Sequence, residues 1–118
     1  SSAASDVYKR QDYICPQIYW GFKHPTAKFN KVTDRWVKAC KSKKVKLYIG
    51  IGVYRAGHNT GQNSAERKEW KSDKNVLKNQ VKYGRKKKVD GFAFFDYQDL
   101  TSKSSSKAVS QLKTVLKK

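Results

Sequence analysis

Apolar residues recur along this chain in two rhythms, and the order of the rhythms predicts its fold. The first apolar run, Tyr13-Ile14-Cys15-Pro16-Gln17-Ile18-Tyr19-Trp20, is rich in aromatic and β-branched residues and reads as a strand. Gly21 to Pro25 predict a loop. From Thr26 to Lys41 the apolar residues Phe29, Val32, Trp36 and Cys40 return at helical spacing, with Lys, Asp and Arg between them. The second run, Val45 to Tyr54, is nearly all apolar, as a strand of a helix-covered parallel sheet should be. Arg55 to Lys71 is polar and punctuated by Gly57, Asn59, Gly61 and Asn63, which predicts a long loop of the kind that carries function. Ser72 or Asp73 can cap a helix running from Lys74 to Arg85, with Val76, Leu77 and Val81 on its apolar face. The third run is Val89-Asp90-Gly91-Phe92-Ala93-Phe94-Phe95. After Asp96 to Ser104 comes a last helix with Ala108, Val109, Leu112, Val115 and Leu116 in one stripe, closed by two lysines that suit its dipole.

Strand then helix, three times over, predicts consecutive right-handed βα units and an α/β fold with parallel strands. Three such strands alone leave both sheet edges open and one face uncovered. The expectation is therefore an incomplete TIM barrel, the last three βα units of a (β/α)8 fold that takes about 250 residues. A doubly wound sheet is the rival. It lacks its Gly-rich turn here, because Gly50 and Gly52 fall inside a strand.

The chain has 118 residues, enough for one small domain at most. No apolar run approaches the roughly 20 residues of a membrane span, so no transmembrane segment is expected. With 3 Trp, 7 Tyr and 5 Phe, intrinsic disorder is excluded over most of the chain. Two cysteines make no disulfide framework; Cys15 and Cys40 sit in apolar patterns and read as small buried hydrophobes. His24 and His58 stand apart from other ligand types, so neither a metal nor another cofactor is expected. Ser1 to Gln11 matches, codon for codon, a frame translation of a transposase sequencing adapter and is read as non-native. The natural sequence is thus expected to occupy residues 12–118 and to be a piece of a longer protein.

In barrels and open α/β sheets chemistry sits at the C-terminal ends of the strands. That rule nominates Gln17, Tyr19 and Trp20 after the first strand, Tyr54 and Arg55 after the second, and Asp96, Tyr97, Gln98 and Asp99 after the third. Alternation puts Cys15, Gln17 and Tyr19 on one face and Ile14, Pro16, Ile18 and Trp20 on the other. A mid-strand Gln suits a polar barrel mouth, so the first set is expected to point inward. By the same argument Leu47, Ile49, Ile51 and Val53 pack against helices while Tyr48, Gly50, Gly52 and Tyr54 face the axis; the third strand is ambiguous. Aromatic rings with amide, guanidinium and carboxylate groups around a mouth suit a carbohydrate, whose C–H faces stack on Tyr and Trp. Tyr19, Trp20 and Tyr54 could equally fill a core, and Arg55 could be a solvated cation.

Glycoside hydrolysis takes two carboxyls, roughly 5–5.5 Å apart for retention or 6.5–9.5 Å for inversion. Asp96 and Asp99 follow the last strand, and Glu66 and Glu69 lie in the long polar stretch. Asp96 is the one carboxylate well placed as a catalytic candidate, and one is not a pair; it could instead cap or be solvated. The formal net charge of +18, from 27 Lys and Arg against 9 Asp and Glu, raises nucleic-acid binding. The cations are dispersed, however, with short clusters at Lys41-Ser42-Lys43-Lys44 and Arg85-Lys86-Lys87-Lys88, both at the rim opposite the expected site. No recognition helix or ribonucleoprotein pattern accompanies them. Specific nucleic-acid binding therefore ranks behind a solvated surface and behind electrostatic contact with an anionic cell envelope.

Three segments carry a resemblance: Asp12-Tyr13-Ile14-Cys15-Pro16-Gln17-Ile18-Tyr19-Trp20, then Leu47 to Tyr54, then Gly91-Phe92-Ala93-Phe94-Phe95-Asp96-Tyr97-Gln98-Asp99-Leu100. In order and spacing they are similar to motifs of the glycosyl-hydrolase-like family 10, bacterial (β/α)8 barrels often secreted or anchored to the envelope. The resemblance implies that these are strands six, seven and eight. It implies O-glycoside hydrolysis of polysaccharide, with peptidoglycan glycan strands a plausible substrate, in an extracellular or envelope location. The family's acidic motifs belong to earlier strands, and its members often carry Ser where this chain has Asp96. Gln17, Tyr19 and Tyr54 match motif positions and are carried over as substrate-cleft residues. The chain is thus expected to supply part of a glycan cleft, itself inactive, with the catalytic carboxylates upstream. A cationic carbohydrate- or cell-wall-binding module without catalysis is the alternative, and a basic nucleic-acid-binding domain the third.

Overall fold

A computed structural model describes residues 13–117; the adapter-like segment Ser1 to Gln11 lies outside the described residues. Strand β1 is Tyr13–Ile14, helix α1 Phe29–Lys43 and strand β2 Lys46–Gly52, which runs directly into a 3-10 turn at Val53–Arg55. Helices α2, Ser64–Ser72, and α3, Val76–Lys86, precede strand β3, Gly91–Phe95. A second 3-10 turn at Gln98–Leu100 leads into helix α4, Ser106–Leu116. The strands form one open sheet in the order β1-β2-β3, parallel throughout, so the described residues have the α/β class with parallel strands expected from the sequence.

Register explains why the first strand is shorter than its apolar run. Tyr13 lies opposite Lys46 and Ile14 opposite Leu47, and the same offset returns at Gln17 opposite Gly50. There the Ile18 N–H donates to the Gly50 carbonyl at 3.0 Å and the Gly50 N–H to the Pro16 carbonyl at 2.9 Å. Between these pairings stands Pro16, which has no N–H to give to a ladder. Extended chain therefore continues toward Tyr19 with a rung missing.

Strand β2 divides its side chains between the two faces of the sheet. Leu47, Ile49, Ile51 and Val53 are buried with Ile18 beneath residues of all four helices: Phe29 and Cys40 of α1, Trp70 of α2, Val76, Leu77 and Val81 of α3, and Ala108, Val109, Leu112 and Val115 of α4. The helices thus cover one face. Phe92 and Phe94 pack against this core, while Gly91, Ala93 and Phe95 stand opposite Tyr48, Gly50 and Gly52, which resolves the ambiguity of the third strand. Burial holds the thiols of buried Cys40 and half-buried Cys15 above their ordinary value.

Two boundaries depart from the sequence reading. The stretch Arg55 to Lys71 is not one long loop, because its second half is α2. Its buried stripe is Glu66, Glu69 and Trp70, helical in spacing but two-thirds carboxylate, so apolar periodicity does not reveal it. The Asn63 side chain caps this helix by accepting from the Glu66 N–H at 2.8 Å. The following helix begins at Val76 rather than Lys74, because the Asp73 carboxylate accepts from the Asn75 N–H at 2.8 Å and spends itself on the turn.

Ties between elements are specific. Asp90 accepts from the Leu47 N–H at 2.7 Å and returns its own N–H to the Leu47 carbonyl at 2.8 Å, fixing the start of β3 against β2. Tyr83 donates to Asp34 at 2.6 Å, bridging α3 to α1; burial and that carboxylate push its phenol up to about 12. Arg85 donates to the Val115 carbonyl at 2.6 Å, joining α3 to α4. Gly84 of α3 lets the sheet approach, since a Cβ there would lie 2.6 Å from Phe92 Cε1. Alanine would gain about 1 kcal/mol of helix propensity at that position, but overpacking a rigid ring costs about 1–3 kcal/mol. Gly84→Ala is therefore expected to lower the urea midpoint of unfolding; an unchanged or raised midpoint would show that Phe92 has room to move.

Candidate functional site

The sheet face that the helices leave uncovered is built around missing side chains. A Cβ on Gly52 would lie 3.2 Å from the Tyr19 ring, and one on Gly50 would lie 3.1 Å from Gln17 Cα and 3.4 Å from Phe95 Cε2. The two glycines thus let the Tyr19 ring, from the extended chain after β1, and the Phe95 ring of β3 lie across the backbone of β2. Tyr19 meets Tyr54 edge-on with centroids 5.5 Å apart and meets Phe95 at 5.6 Å. Tyr54 remains 41% exposed, so its ring both supports Tyr19 and faces solvent. The Arg55 guanidinium carbon lies 5.6 Å from the Tyr54 centroid, and its Nη1 donates to Thr60 at 2.9 Å. Burial first, with Tyr54 and Cys15 adding to it, raises the Tyr19 phenol, which stays a protonated hydroxyl at neutral pH.

Nearer the start of the strands, Tyr13 meets Tyr48 edge-on at 6.0 Å beside an open depression of 330 Å³ lined by Tyr13, Cys15, Tyr48, Phe92 and Ala93. The face is therefore aromatic along its length, with Gln17 exposed at its edge.

Asp96 follows the Phe95 end of β3 and is exposed. Its N–H donates to the Asp99 carboxylate at 2.8 Å, and its own carboxylate accepts from the Gln98 N–H at 2.9 Å. Asp96 and Asp99 thus close one turn between them. Tyr97 on that turn is 80% exposed. Trp20 parts company with Tyr19: it packs against the core on the helix side, and its carbonyl accepts from buried Gln80 of α3 at 3.1 Å. Of the residues nominated from sequence, Tyr19, Tyr54 and Arg55 are brought into contact, Gln17 shares their face, Asp96 and Tyr97 sit at the rim, and Trp20 is turned away. Phe95 was missed, and register against Gly52 is the signal that finds it.

Glu66 and Glu69 have a different place from the one their loop-like sequence suggests. Both are buried on α2, and both accept from the backbone that follows Trp20. Glu66 takes the Gly21 N–H at 2.8 Å, the Gln62 N–H at 2.8 Å and the Trp70 indole N–H at 3.3 Å. Glu69 takes the Phe22 N–H at 2.9 Å and the Lys23 N–H at 3.1 Å. Burial raises the Glu66 carboxyl, but the Gly21 and Gln62 amides, the Trp70 indole and nearby His24 outweigh it, and the net shift is downward. Burial dominates at Glu69, where the charges of Glu66 and Asp73 add to it against the Lys23 and Phe22 amides, and the net shift is upward.

The family model described as glycosyl hydrolase-like 10 matches residues 7–72, more than half of the chain. The chain belongs to the glycosyl hydrolase-like 10 family. Among its relatives, the protein named glycosyl hydrolase DigH of Escherichia coli K12 is 41% identical over 46 residues, covering 39% of this chain and 10% of that protein. Glycosyl hydrolase YngK of Bacillus subtilis is 40% identical over 48 residues, covering 41% of this chain and 9% of that protein. The chain thus spans about a tenth of the length of these curated relatives. Gln17, Tyr19, Tyr54, Arg55, Glu66 and Glu69 all fall inside the family match, whereas Asp96 and Tyr97 fall beyond it.

The two glutamates make opposite contributions to pH-dependent stability. A carboxyl held below its ordinary value, as at Glu66, contributes stability that is complete above the unfolded-chain value of about 4.3 and is lost as the pH falls through the folded-state value. Glu69, held above it, contributes stability that is complete below the unfolded-chain value and is lost as the pH rises through its folded-state value. Glu66→Gln is expected to cost about 2 kcal/mol at neutral pH, since an amide cannot accept at both ends, and to shrink the loss of stability on acidification. Glu69→Gln is expected to flatten the decline on the other side. Melting temperatures measured between about pH 3 and pH 7 check both, and an acid limb unaltered in Glu66→Gln would contradict the charge state assigned to it.

Proposed function

We propose that residues 12–118 form the sixth to eighth βα units of a (β/α)8 glycoside hydrolase, and that their uncovered sheet face is one wall of a glycan cleft. The observation that carries this reading is the Tyr19–Tyr54 pair, supported by Phe95 and partly open to solvent at the C-terminal ends of parallel strands. Consecutive strand order and helices on a single face favour a barrel over a doubly wound sheet, in which helices cover both faces. Tyr19 and Tyr54 present aromatic surface to sugar C–H groups, Gln17 offers an amide to hydroxyls, and Arg55 holds the Tyr54 ring from outside. Asp96 and Tyr97 edge the cleft, Asp96 as an acceptor and Tyr97 as an exposed ring. Trp20 acts from beneath, anchoring the strand end that carries Tyr19.

Within this reading the catalytic carboxylates belong to earlier strands, and the chain contributes binding surface. The substrate is polysaccharide, with peptidoglycan glycan strands the favoured class, in an extracellular or envelope setting where the surplus of lysine and arginine meets an anionic matrix. In the full-length protein, Tyr19→Ala is expected to weaken glycan affinity by about tenfold, the scale of one lost aromatic contact, with Gln17→Ala weakening it less. Unchanged affinity in both variants would show that these residues are filler. Residues 12–118 alone are expected to cleave no glycan; turnover by that piece would place a complete catalytic pair within it.

A further inference from the structure

Helix α2 is a bracket between the two chain segments that carry the tyrosine pair. On one side its carboxylates hold the loop that leaves the Tyr19 strand: Glu66 takes the N–H of Gly21, two residues beyond Tyr19, and Glu69 takes those of Phe22 and Lys23. Gly21 fits this contact closely, since a Cβ there would lie 2.8 Å from the Glu69 carboxyl carbon. On the other side α2 holds the turn that leaves β2: the Gly57 N–H, three residues beyond Tyr54, donates to the Trp70 carbonyl at 2.9 Å, and the Lys71 ammonium donates to the Gly57 carbonyl at 3.3 Å. Trp70, fully buried, joins the two sides through its indole bond to Glu66. Tyr19 and Tyr54 each stand within three residues of a backbone group that α2 holds, so one helix spans the two segments that carry the ring pair.

We infer that Glu66 and Glu69 are positioning residues, which fix the backbone after Tyr19 onto the helix that also holds the backbone after Tyr54 and so set the spacing of the ring pair for ligand. The inference rests on the glycan-cleft reading for its consequence, but the bracket itself is a statement about backbone order. Neither glutamate touches ligand in this scheme, and both act through main-chain N–H groups. Removing a charged acceptor frees those N–H groups, and Tyr19 then loses its fixed distance from Tyr54 while the core beneath Ile49 and Ile51 is untouched.

The test uses the full-length protein with Glu66→Gln, Glu69→Gln and Tyr19→Ala, reading amide hydrogen exchange across residues 19–25 and 47–53 together with KM and kcat on a soluble glycan. Exchange at Gly21, Phe22 and Lys23 is expected to accelerate by about tenfold or more in the glutamate variants, the equivalent of one lost bond to a charged acceptor, with exchange at Ile49 and Ile51 unchanged. KM is expected to rise about tenfold while kcat holds within about twofold. Unchanged exchange at the three loop amides overturns the bracket. Accelerated exchange with an unchanged KM overturns its role in positioning. An unchanged KM in Tyr19→Ala overturns the glycan-cleft reading instead, leaving the exchange result to decide the bracket. If Glu66→Gln fails to fold, Glu69→Gln carries the same test, because it touches only Phe22 and Lys23 in the loop.

Discussion

Two buried carboxylates accepting main-chain N–H groups hold the loop between β1 and α1 in place. Burying an ionised carboxylate costs several kcal/mol unless its lone pairs are filled. Between them Glu66 and Glu69 accept from Gly21, Phe22, Lys23 and Gln62, and each bond to a charged acceptor returns about 1.5–3 kcal/mol. The loop gains as much as the glutamates do. Its amides have no strand or helix to pair with; the His24 N–H donates to the Gly21 carbonyl, and those of Thr26 and Ala27 to Nδ1 of buried His24 at 3.1 and 2.8 Å. Three buried side chains thus order a turn that glycine, proline and lysine would otherwise leave loose.

The same economy of backbone shapes the sheet. A parallel strand buried on both faces ordinarily carries large apolar residues on each side. Toward the helices β2 and the turn after it do so, with Leu47, Ile49, Ile51 and Val53 sealed. Toward the other face Tyr48 alone is large; Gly50 and Gly52 leave space that is taken by the Tyr19 ring, from the extended chain after β1, and by the Phe95 ring of β3. Aromatic surface there is contributed by three separate segments and lies across the strand rather than projecting from it. Its arrangement then depends on how the segments are held relative to each other, which ties the tyrosine pair to the bracket formed by α2.

How far the fold was legible in sequence follows from which residues did the burying. α1, α3 and α4 announce themselves because their buried faces are apolar and recur at helical spacing. α2 does not, because its buried face is Glu66, Glu69 and Trp70, and a periodicity of carboxylates looks like a polar loop. The apolar run Tyr13 to Trp20 looks like eight residues of strand, yet Pro16 interrupts its ladder even though register persists. Of the site, Tyr19 and Tyr54 were accessible to strand alternation. Phe95 required the register of β3 against Gly52, and the separation of Trp20 from Tyr19 followed from alternation that the rule about strand ends had overridden. The role of Glu66 and Glu69 was not legible at all, since partners 45 and 47 residues away in the chain leave no local trace.

The net charge of +18 gains a structural meaning from the use made of its few acids. Every carboxylate among the described residues accepts a hydrogen bond: Asp34 from Tyr83, and Glu66, Glu69, Asp73, Asp90, Asp96 and Asp99 from main-chain N–H groups. Lys87 lies 3.7 Å from Asp34, but the acids as a set serve the backbone rather than the surplus cations. Some of those cations close helices, Lys41 and Lys43 in the last turn of α1 and Arg85 and Lys86 in that of α3, complementing the dipoles at the rim where the strands begin. The acids of the rim where the strands end, Asp96 and Asp99, are turned upon each other's turn. Among the described residues, helix-ending cations thus lie at the rim where the strands begin, the Tyr19–Tyr54 pair lies where they end, and the carboxylates are spent on shape.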